Sequence, residues 1–570
     1  MLEPLYGEQI FKDRYALTED ETWEQACKRM GVSIAQAENG NKEYWAEKFA
    51  SIIYDGYFIP GGRIIRNAGR PRCNMLNCYG LVCEDSIESI GKTLYDALVI
   101  QSEGGGIGVN FNLRPKGAPI KRKGGVSSGV VSFVKLFNYI TNVIETGGSR
   151  RGAMLAMLRI DHPDVSDFIY AKSEAGELEN FNISVAITNE FIDSVIKDKE
   201  WTLHFGGKVY KTVKAKDLWF QIIENMIKHA EPGILNISNM QINNSYYCAP
   251  IETTNACSEI PLERYGACLL GALVLPKFVR SDGKTNWKLL EEVINIAVRF
   301  LDDVLDITAY PLPETLSAVL NVRRMGLGTM GLADYLFVKK IKYGSYECLK
   351  EIDRLYSTIQ QMAYDASIKL AEEKTSFPKY DPIALCDSKI IRRLPRFIQH
   401  GIKNIGLRNI ALTSAQPTGT TSLLVGVTSG IEPLFAKGYL RKDRISERVY
   451  IHPLTRKYAG DNNELPDWFV SAEDITPDEH LEAQVTVQRY LDGSISKTIN
   501  FPETVNVEAM SNVLLKYVKD LKGVTVYVDK SREDQVLFYL NREKIMEYLK
   551  NESVEIGKEE RDCKAGTCEL

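Results

Sequence analysis

The densest chemistry in the sequence lies in Asn255-Ala-Cys257-Ser-Glu259, where an amide, a thiol and a carboxylate stand at every second position. In an extended segment, residues i, i+2 and i+4 face the same way, about 6.6 Å apart per step. The spacing therefore predicts three functional groups on one wall, at the scale of a sugar ring. The thiol of Cys257 has the chemistry of a nucleophile or radical carrier, Glu259 that of a base, and Asn255 that of an orienting hydrogen-bond partner. A half-buried cysteine beside a turn is the plain alternative, and these five residues alone do not decide between the two.

Other cysteines surround this motif. Cys268 heads the apolar run Cys268-Leu-Leu-Gly-Ala-Leu-Val-Leu275, where a thiol can equally be a small core hydrophobe. Cys73, Cys78 and Cys83 recur every five residues, but they form no paired CxxC and have no fourth ligand nearby. With six scattered histidines, no metal site is expected. A last pair, Cys563-Lys-Ala-Gly-Thr-Cys568, can close into a small disulfide around Gly566 and reopen by thiol–disulfide exchange. It sits in residues 549–570, of which ten are charged, a composition that predicts a mobile tail. Cys563 lies fourteen residues beyond Leu549, a reach of roughly 20 Å on average for a flexible segment.

Two glycine-containing segments suggest anion chemistry. Gln416-Pro417-Thr418-Gly419-Thr420-Thr421-Ser422, followed by apolar residues, reads as a loop entering a helix, whose free N–H groups and dipole favour an anion. An ordinary N-cap is the alternative. Gly104-Gly-Gly-Ile-Gly108 lacks the GxGxxG spacing and is no dinucleotide fingerprint.

The elements that must position these groups follow from hydrophobic period. Within residues 14–58, apolar positions three or four apart predict helices near 23–30 and 43–54. Beyond Cys73, strand-like runs at 183–187, 268–275 and 524–528 alternate with helical patterns at 289–305 and 351–373. The alternation predicts an α/β fold, open sheet or barrel. The expected division is an N-terminal helical segment (1–72), a catalytic α/β body (73–548) and a C-terminal tail (549–570). A net charge of −5 and pI near 5.9 leave no basic footprint for DNA or RNA. No run reaches the ~18 apolar residues of a membrane span, and residues 1–13 hold no apolar signal core. A cytoplasmic location is expected, where eleven cysteines serve as thiols rather than structural disulfides.

These motifs together resemble the ribonucleotide reductase catalytic chain. Asn255-Ala-Cys257-Ser-Glu259 is similar to the family's Asn-x-Cys-x-Glu loop, Cys268-Leu-Leu-Gly to its Cys-Asn-Leu-Gly, and Asn77-Cys78-Tyr79 to the segment with the other redox cysteine. Gly104-Gly-Gly-Ile-Gly-Val-Asn-Phe111, Leu113-Arg-Pro-Lys-Gly117, Gly147-Gly-Ser-Arg-Arg-Gly-Ala153, Asp161-His-Pro-Asp164, Asn182-Ile-Ser-Val185, Gln416-Pro-Thr-Gly-Thr420 and Ser429-Gly-Ile-Glu-Pro433 extend the likeness over residues 14–540. Ser496-Lys-Thr-Ile-Asn500 and residues 523–532 resemble the adenosylcobalamin-dependent class II enzymes. The class I large subunit, which needs a separate radical-generating subunit, is the alternative. Its adjacent tyrosines are replaced here by Val526-Tyr527, and the class III glycyl-radical motif is missing.

The resemblance implies a ten-stranded α/β barrel and a thiyl-radical reduction of a ribonucleotide. Cys257 is then the radical carrier, Glu259 the proton acceptor and Asn255 the sugar-orienting residue. Cys78 and Cys268 supply the reducing equivalents, and Cys563 and Cys568 re-reduce them with a thioredoxin- or glutaredoxin-like reductant. Pro417, Thr418, Gly419, Thr420, Thr421 and Ser422 hold the substrate phosphates. Base-on binding of adenosylcobalamin is likewise what the resemblance implies, and the absence of Asp-x-His-x-x-Gly agrees with it. A deoxynucleotide effector read by residues 172–179 and a homodimer are further expectations. Pro60-Gly-Gly-Arg-Ile-Ile65 departs from the family's Ser/Thr-Pro-Thr stretch, and no ATP-binding cone is expected ahead of the catalytic region.

Overall fold

The computed structural model describes residues 2, 7–120, 124–143, 145–146, 150–151, 153–174, 176–242, 247–442, 447–459, 464–529, 537–540 and 542–550. The tail cysteines Cys563 and Cys568 lie outside the described residues.

The N-terminal helices form where the periodicity places them. After α1 (Gly7–Arg14) comes α2 (Trp23–Ile34), which starts at a capping box: Thr22 accepts from the Gln25 N–H, and Gln25 reaches back to the Thr22 N–H. Its buried Trp23, Ala26, Cys27, Met30 and Ile34 repeat every three or four residues and pack on α3 (Lys42–Tyr54).

The body is mixed α/β. The strands that position the site are β1 (Phe58–Pro60), β2 (Cys78–Glu84), β3 (Gly106–Asn112), β4 (Met154–Arg159), β5 (Phe181–Ile187), β6 (Gly233–Asn236), β7 (Thr253–Thr254), β8 (Pro261–Leu262), β9 (Leu270–Val274), β10 (Gly326–Met330), β11 (Thr498–Phe501) and β12 (Gly523–Val528). One sheet has seven strands in the order β11-β12-β6-β5-β4-β3-β2. From β2 to β6 all neighbours are parallel, β12 joins β6 antiparallel, and β11 runs parallel to β12. A second sheet has the order β1-β9-β10, with β9 and β10 parallel. Strands such as β9 and β10 are buried at every position, as parallel strands covered on both faces must be.

The closed ten-stranded barrel implied by the resemblance is not found as one continuous ladder. Among the described residues, the two sheets are joined by isolated bridges rather than paired strands: Tyr79↔Ala267 at one margin, Leu327↔Thr413 and Ala415↔Ile495 at the other. The second margin stays irregular because the N–H groups of Leu412 and Thr413, which a ladder would use, donate instead to the Asp492 carboxylate at 2.8 and 3.2 Å.

Two long helices cover the second sheet. Helix α4 (Trp287–Ile307) is capped by Asn286, and α5 (Tyr346–Lys374) by Ser345. The buried carboxylates of Asp302 and Asp303 on α4 are matched by Arg323, Arg408 and Lys374. Their paired cations leave this acidic cluster a structural role. A short helix, α6 (Gly419–Val425), follows the 413–416 segment. No helix among the described residues is long and apolar enough to cross a membrane.

Candidate active site

Residues 253–262 form a hairpin in which β7 pairs with β8, and Asn255-Ala-Cys257-Ser-Glu259 is its turn. The expectation of an extended segment is therefore corrected. Ser258 takes φ +67°, its N–H donates to the Asn255 carbonyl at 3.1 Å, and Asn255 Oδ1 accepts from the Ile260 N–H at 2.9 Å. The amide side chain thus closes the turn from inside, as asparagine does in tight turns. The result is sharper than a flat wall: Asn255 and Glu259 are buried at the base, while Cys257 is exposed at the tip.

The hairpin lies on the seven-stranded sheet because glycines leave it room. A Cβ on Gly108 would fall 1.8 Å from the Thr254 carbonyl oxygen, and one on Gly80 2.6 Å from Thr253 Cγ2. Polar side chains then fasten it. Asn110 Nδ2 donates to the Glu252 carbonyl at 2.8 Å, and Asn182 Nδ2 to the Ala256 carbonyl at 3.5 Å. The glycine-rich motif at 104–108 thus serves the close approach of two backbones.

Beneath the hairpin, Cys78 opens β2 and Cys268 stands opposite it. The Cys268 N–H donates to the Cys78 carbonyl at 2.8 Å, beside the antiparallel bridge Tyr79↔Ala267. Directly opposed antiparallel residues have Cα atoms about 4.5–5.5 Å apart, within the range of a disulfide. Both cysteines pack against Ile260 and Leu262 of the hairpin. A Cβ on Gly106 would meet Cys78 Sγ at 3.0 Å and Ala256 Cβ at 3.6 Å, which places the Cys78 thiol under the turn.

Burial sets the protonation of the cluster. It raises the Glu259 carboxyl from 4.5 to about 7, and the Asn255 amide, near but not completing a hydrogen bond, only partly offsets it. Burial, with the Glu259 charge adding, pushes the Cys78 thiol up to about 12 despite the Ala256 N–H, the nearby Asn255 amide and the Arg63 guanidinium. Cys268 is pushed well up by burial and by Cys78 beside it. Both are thiols, not thiolates, at neutral pH. Asn255 Nδ2 and Glu259 Oε2 are buried without a protein partner. Such orphaned groups, one a donor and one an acceptor, point to a polar ligand that completes them.

In the 416–422 segment, Thr418 adopts φ +50° immediately before α6. Its hydroxyl accepts from the Gly430 N–H at 2.8 Å, Thr421 Oγ1 donates to the Thr418 carbonyl at 3.3 Å, and Ser422 Oγ donates to the Gly419 carbonyl at 3.2 Å. These hydroxyls build the loop rather than facing outward. The Glu432 carboxylate accepts from Lys497 Nζ and the Thr498 N–H, bracing the 429–433 turn that holds Thr418.

Sequence reasoning missed two supports: Gly80, and the 491–495 segment whose Ser494 N–H donates to the Glu259 carbonyl at 2.7 Å. Their only sequence signal was small residues beside motifs. The start of the 172–179 segment is held by Lys172, paired with Glu231 at 2.5 Å.

A thiol-bearing turn over an apposed cysteine pair, set in a mixed α/β body behind an all-helical segment, defines a class of thiol-based redox enzyme. The family descriptions "Ribonucleotide reductase, all-alpha domain" and "Ribonucleotide reductase, barrel domain" match residues 1–73 and 76–527. The chain belongs to the ribonucleotide reductase family. It is 35% identical to the vitamin B12-dependent ribonucleoside-diphosphate reductase of Mycobacterium tuberculosis (strain H37Rv), over 93% of this chain and 78% of the relative. It is likewise 35% identical to the enzyme of that name from Thermoplasma acidophilum, over 89% of this chain and 68% of the relative. The ribonucleoside-diphosphate reductase subunit alpha of Chlamydia pneumoniae is more distant, at 26% over 92% of this chain and 59% of the relative.

Proposed function

We propose that the chain is a class II ribonucleotide reductase acting on ribonucleoside diphosphates with adenosylcobalamin. The observation that carries the chemistry is the stacking of Asn255, Cys257 and Glu259 in one turn above the apposed Cys78 and Cys268. The names of the relatives support the cofactor and the diphosphate.

When bound, adenosylcobalamin supplies the one-electron chemistry that removes a hydrogen atom from a thiol. Cys257, exposed at the tip of the turn, fits a group approaching from the open side, while Asn255 and Glu259 behind it are shielded. The Cys257 thiyl takes the ribose 3′ hydrogen, and Glu259 accepts the 3′-hydroxyl proton. With its carboxyl poised near 7, Glu259 can take that proton and later return it. Asn255 orients the sugar through its unpaired Nδ2. The 2′-hydroxyl leaves as water while Cys78 and Cys268 give two electrons and two protons and become a disulfide. The 3′ hydrogen then returns from Cys257, so the radical is regenerated.

The substrate phosphates are assigned to residues 417–422, where the N–H groups of Gly419, Thr420 and Thr421 begin α6. Cys563 and Cys568 are assigned to re-reduction of the pair, with a thioredoxin- or glutaredoxin-like protein as their reductant. The body is read as one barrel, supported by the bridges that join the two sheets at both margins. A homodimer is supported by exposed Leu136, Tyr139 and Val143 on the helix Val130–Val143.

The test is purified chain with dithiothreitol and a ribonucleoside diphosphate, with and without adenosylcobalamin. Deoxynucleotide formed only with the cofactor supports the reading. Activity that instead requires a second, metal-loaded polypeptide would favour a class I large subunit and overturn it.

A further inference from the structure

A buried lysine lies one shell behind the turn, on the short segment that holds Glu259 in place. Lys522 precedes β12, and its carbonyl accepts from the Asn236 N–H of β6 at 2.9 Å, so its backbone is fixed by the seven-stranded sheet. Its side chain, almost wholly buried, crosses to residues 491–493. There Nζ donates to three carbonyls in succession: Leu491 at 3.2 Å, Asp492 at 2.8 Å and Gly493 at 3.0 Å. Gln488 Nε2 adds a second donor to the Gly493 carbonyl at 2.9 Å.

The segment so gathered has little freedom. The Asp492 carboxylate accepts from the Leu412 and Thr413 N–H groups and from the hydroxyls of Tyr364 and Thr413. The Gly493 N–H donates to the Thr413 carbonyl at 2.8 Å, and the next N–H, of Ser494, donates to the Glu259 carbonyl at 2.7 Å. A Cβ on Gly493 would sit 2.8 Å from that same Glu259 oxygen. Glu259 thus rests directly on a backbone whose carbonyls converge on one cation.

We propose that Lys522 is a positioning residue for Glu259: by drawing the carbonyls of residues 491–493 together it sets the seat on which Ser494 holds Glu259 in register. The proposal rests on the reading of Glu259 as the proton acceptor.

The choice of lysine follows from donor geometry. Three convergent carbonyl dipoles need three N–H donors from one point, and an ammonium supplies them. A guanidinium spreads its donors in a plane, and a side-chain amide supplies only two. The charged groups that face this ammonium are Asp492, which favours it, and Arg324 and Arg393, which oppose it. Burial lowers Lys522 to about 7, and the Asp492 charge opposes that shift.

The test compares Lys522→Met with the unmodified enzyme, assayed with adenosylcobalamin and dithiothreitol across pH 5.5–9. Loss of the seat lets Glu259 shift by a fraction of its reach, and a displacement near 1 Å costs on the order of 10²-fold in turnover. The expected result is a kcat lower by about 10- to 100-fold with KM within about 3-fold, and an acid limb of the kcat profile moved from its place near 7. Gln488→Met, which removes only the second donor to Gly493, is expected to move both readouts the same way by about 3- to 10-fold. It decides the matter if Lys522→Met does not fold. A Lys522→Met enzyme that only melts earlier, with kcat and acid limb unchanged, overturns the proposal, as does a loss carried by KM alone. Glu259→Gln separates the two layers. If that variant turns over normally, the reading of Glu259 fails. If it is inactive while Lys522→Met keeps its kcat and acid limb, only the positioning role fails.

Discussion

The N–H of Cys268 donates to the carbonyl of Cys78 at 2.8 Å, so two thiols far apart in the chain are cross-strand neighbours in a buried site. Cross-strand apposition gives them disulfide reach with little backbone movement. The pre-reduced Cys563→Ser/Cys568→Ser variant, which cannot pass the oxidation on to the tail, is accordingly expected without external reductant to lose two thiols, at Cys78 and Cys268, for each deoxynucleotide formed. Alkylation and peptide mapping after a single turnover will read this. Loss of any other pair of thiols contradicts the assignment.

Replacing Cys257 by serine is expected to abolish turnover, including the first. An O–H bond is much stronger than S–H, so the alcohol cannot carry the radical. The substitution is nearly isosteric at an exposed position, and the thermal midpoint should move little. Rapid-quench product analysis checks it, and deoxynucleotide above background would refute the role.

Glu259 predicts opposite effects on activity and stability. Its carboxyl is raised from 4.5 to about 7 in the fold, so between those values the folded protein holds a proton the unfolded chain has released. Stability from this residue therefore falls as pH rises across that window and is level above it. The base form grows in over the same range, so activity is expected to rise toward and past pH 7. Glu259→Gln should be inactive yet more stable at pH 8, by on the order of 3 kcal/mol. Paired denaturation and activity measurements decide this, and a less stable variant would count against the burial argument.

Gly108→Ala tests the seating of the hairpin. The added methyl would meet a backbone oxygen at 1.8 Å, so the turn itself must move. An activity loss of about 100-fold is expected, with destabilisation of about 1–3 kcal/mol. Gly40→Ala, which meets nothing within 4 Å, is the control and should leave both unchanged.

For the tail, Cys563→Ser/Cys568→Ser should complete about one turnover when pre-reduced and then stall with a thioredoxin-like protein as reductant. With Cys268 buried and Cys78 half-buried beneath the hairpin, the disulfide is a poor target for a bulky protein thiol. Dithiothreitol, being small, should restore turnover. Multiple turnovers of the double variant with the protein reductant would remove the shuttle role.

What residue type and local spacing determined about this protein is its chemical inventory and its helices. The thiol, amide and carboxylate of 255–259, the cap at Thr22 and the three-to-four periodicity of α2 all depend on neighbours within a few residues, which a sequence displays directly. Short apolar runs likewise marked β5, β9 and β12. Only the tertiary structure decided that Asn255-Ala-Cys257-Ser-Glu259 is a turn, because the bend depends on Asn255 closing onto Ile260 and on Gly108 admitting the hairpin. It also decided which cysteine faces which, and that Glu259 is poised near 7 rather than 4.5. Pairing across strands and loss of water are set by residues distant in the chain, and no local pattern carries that information.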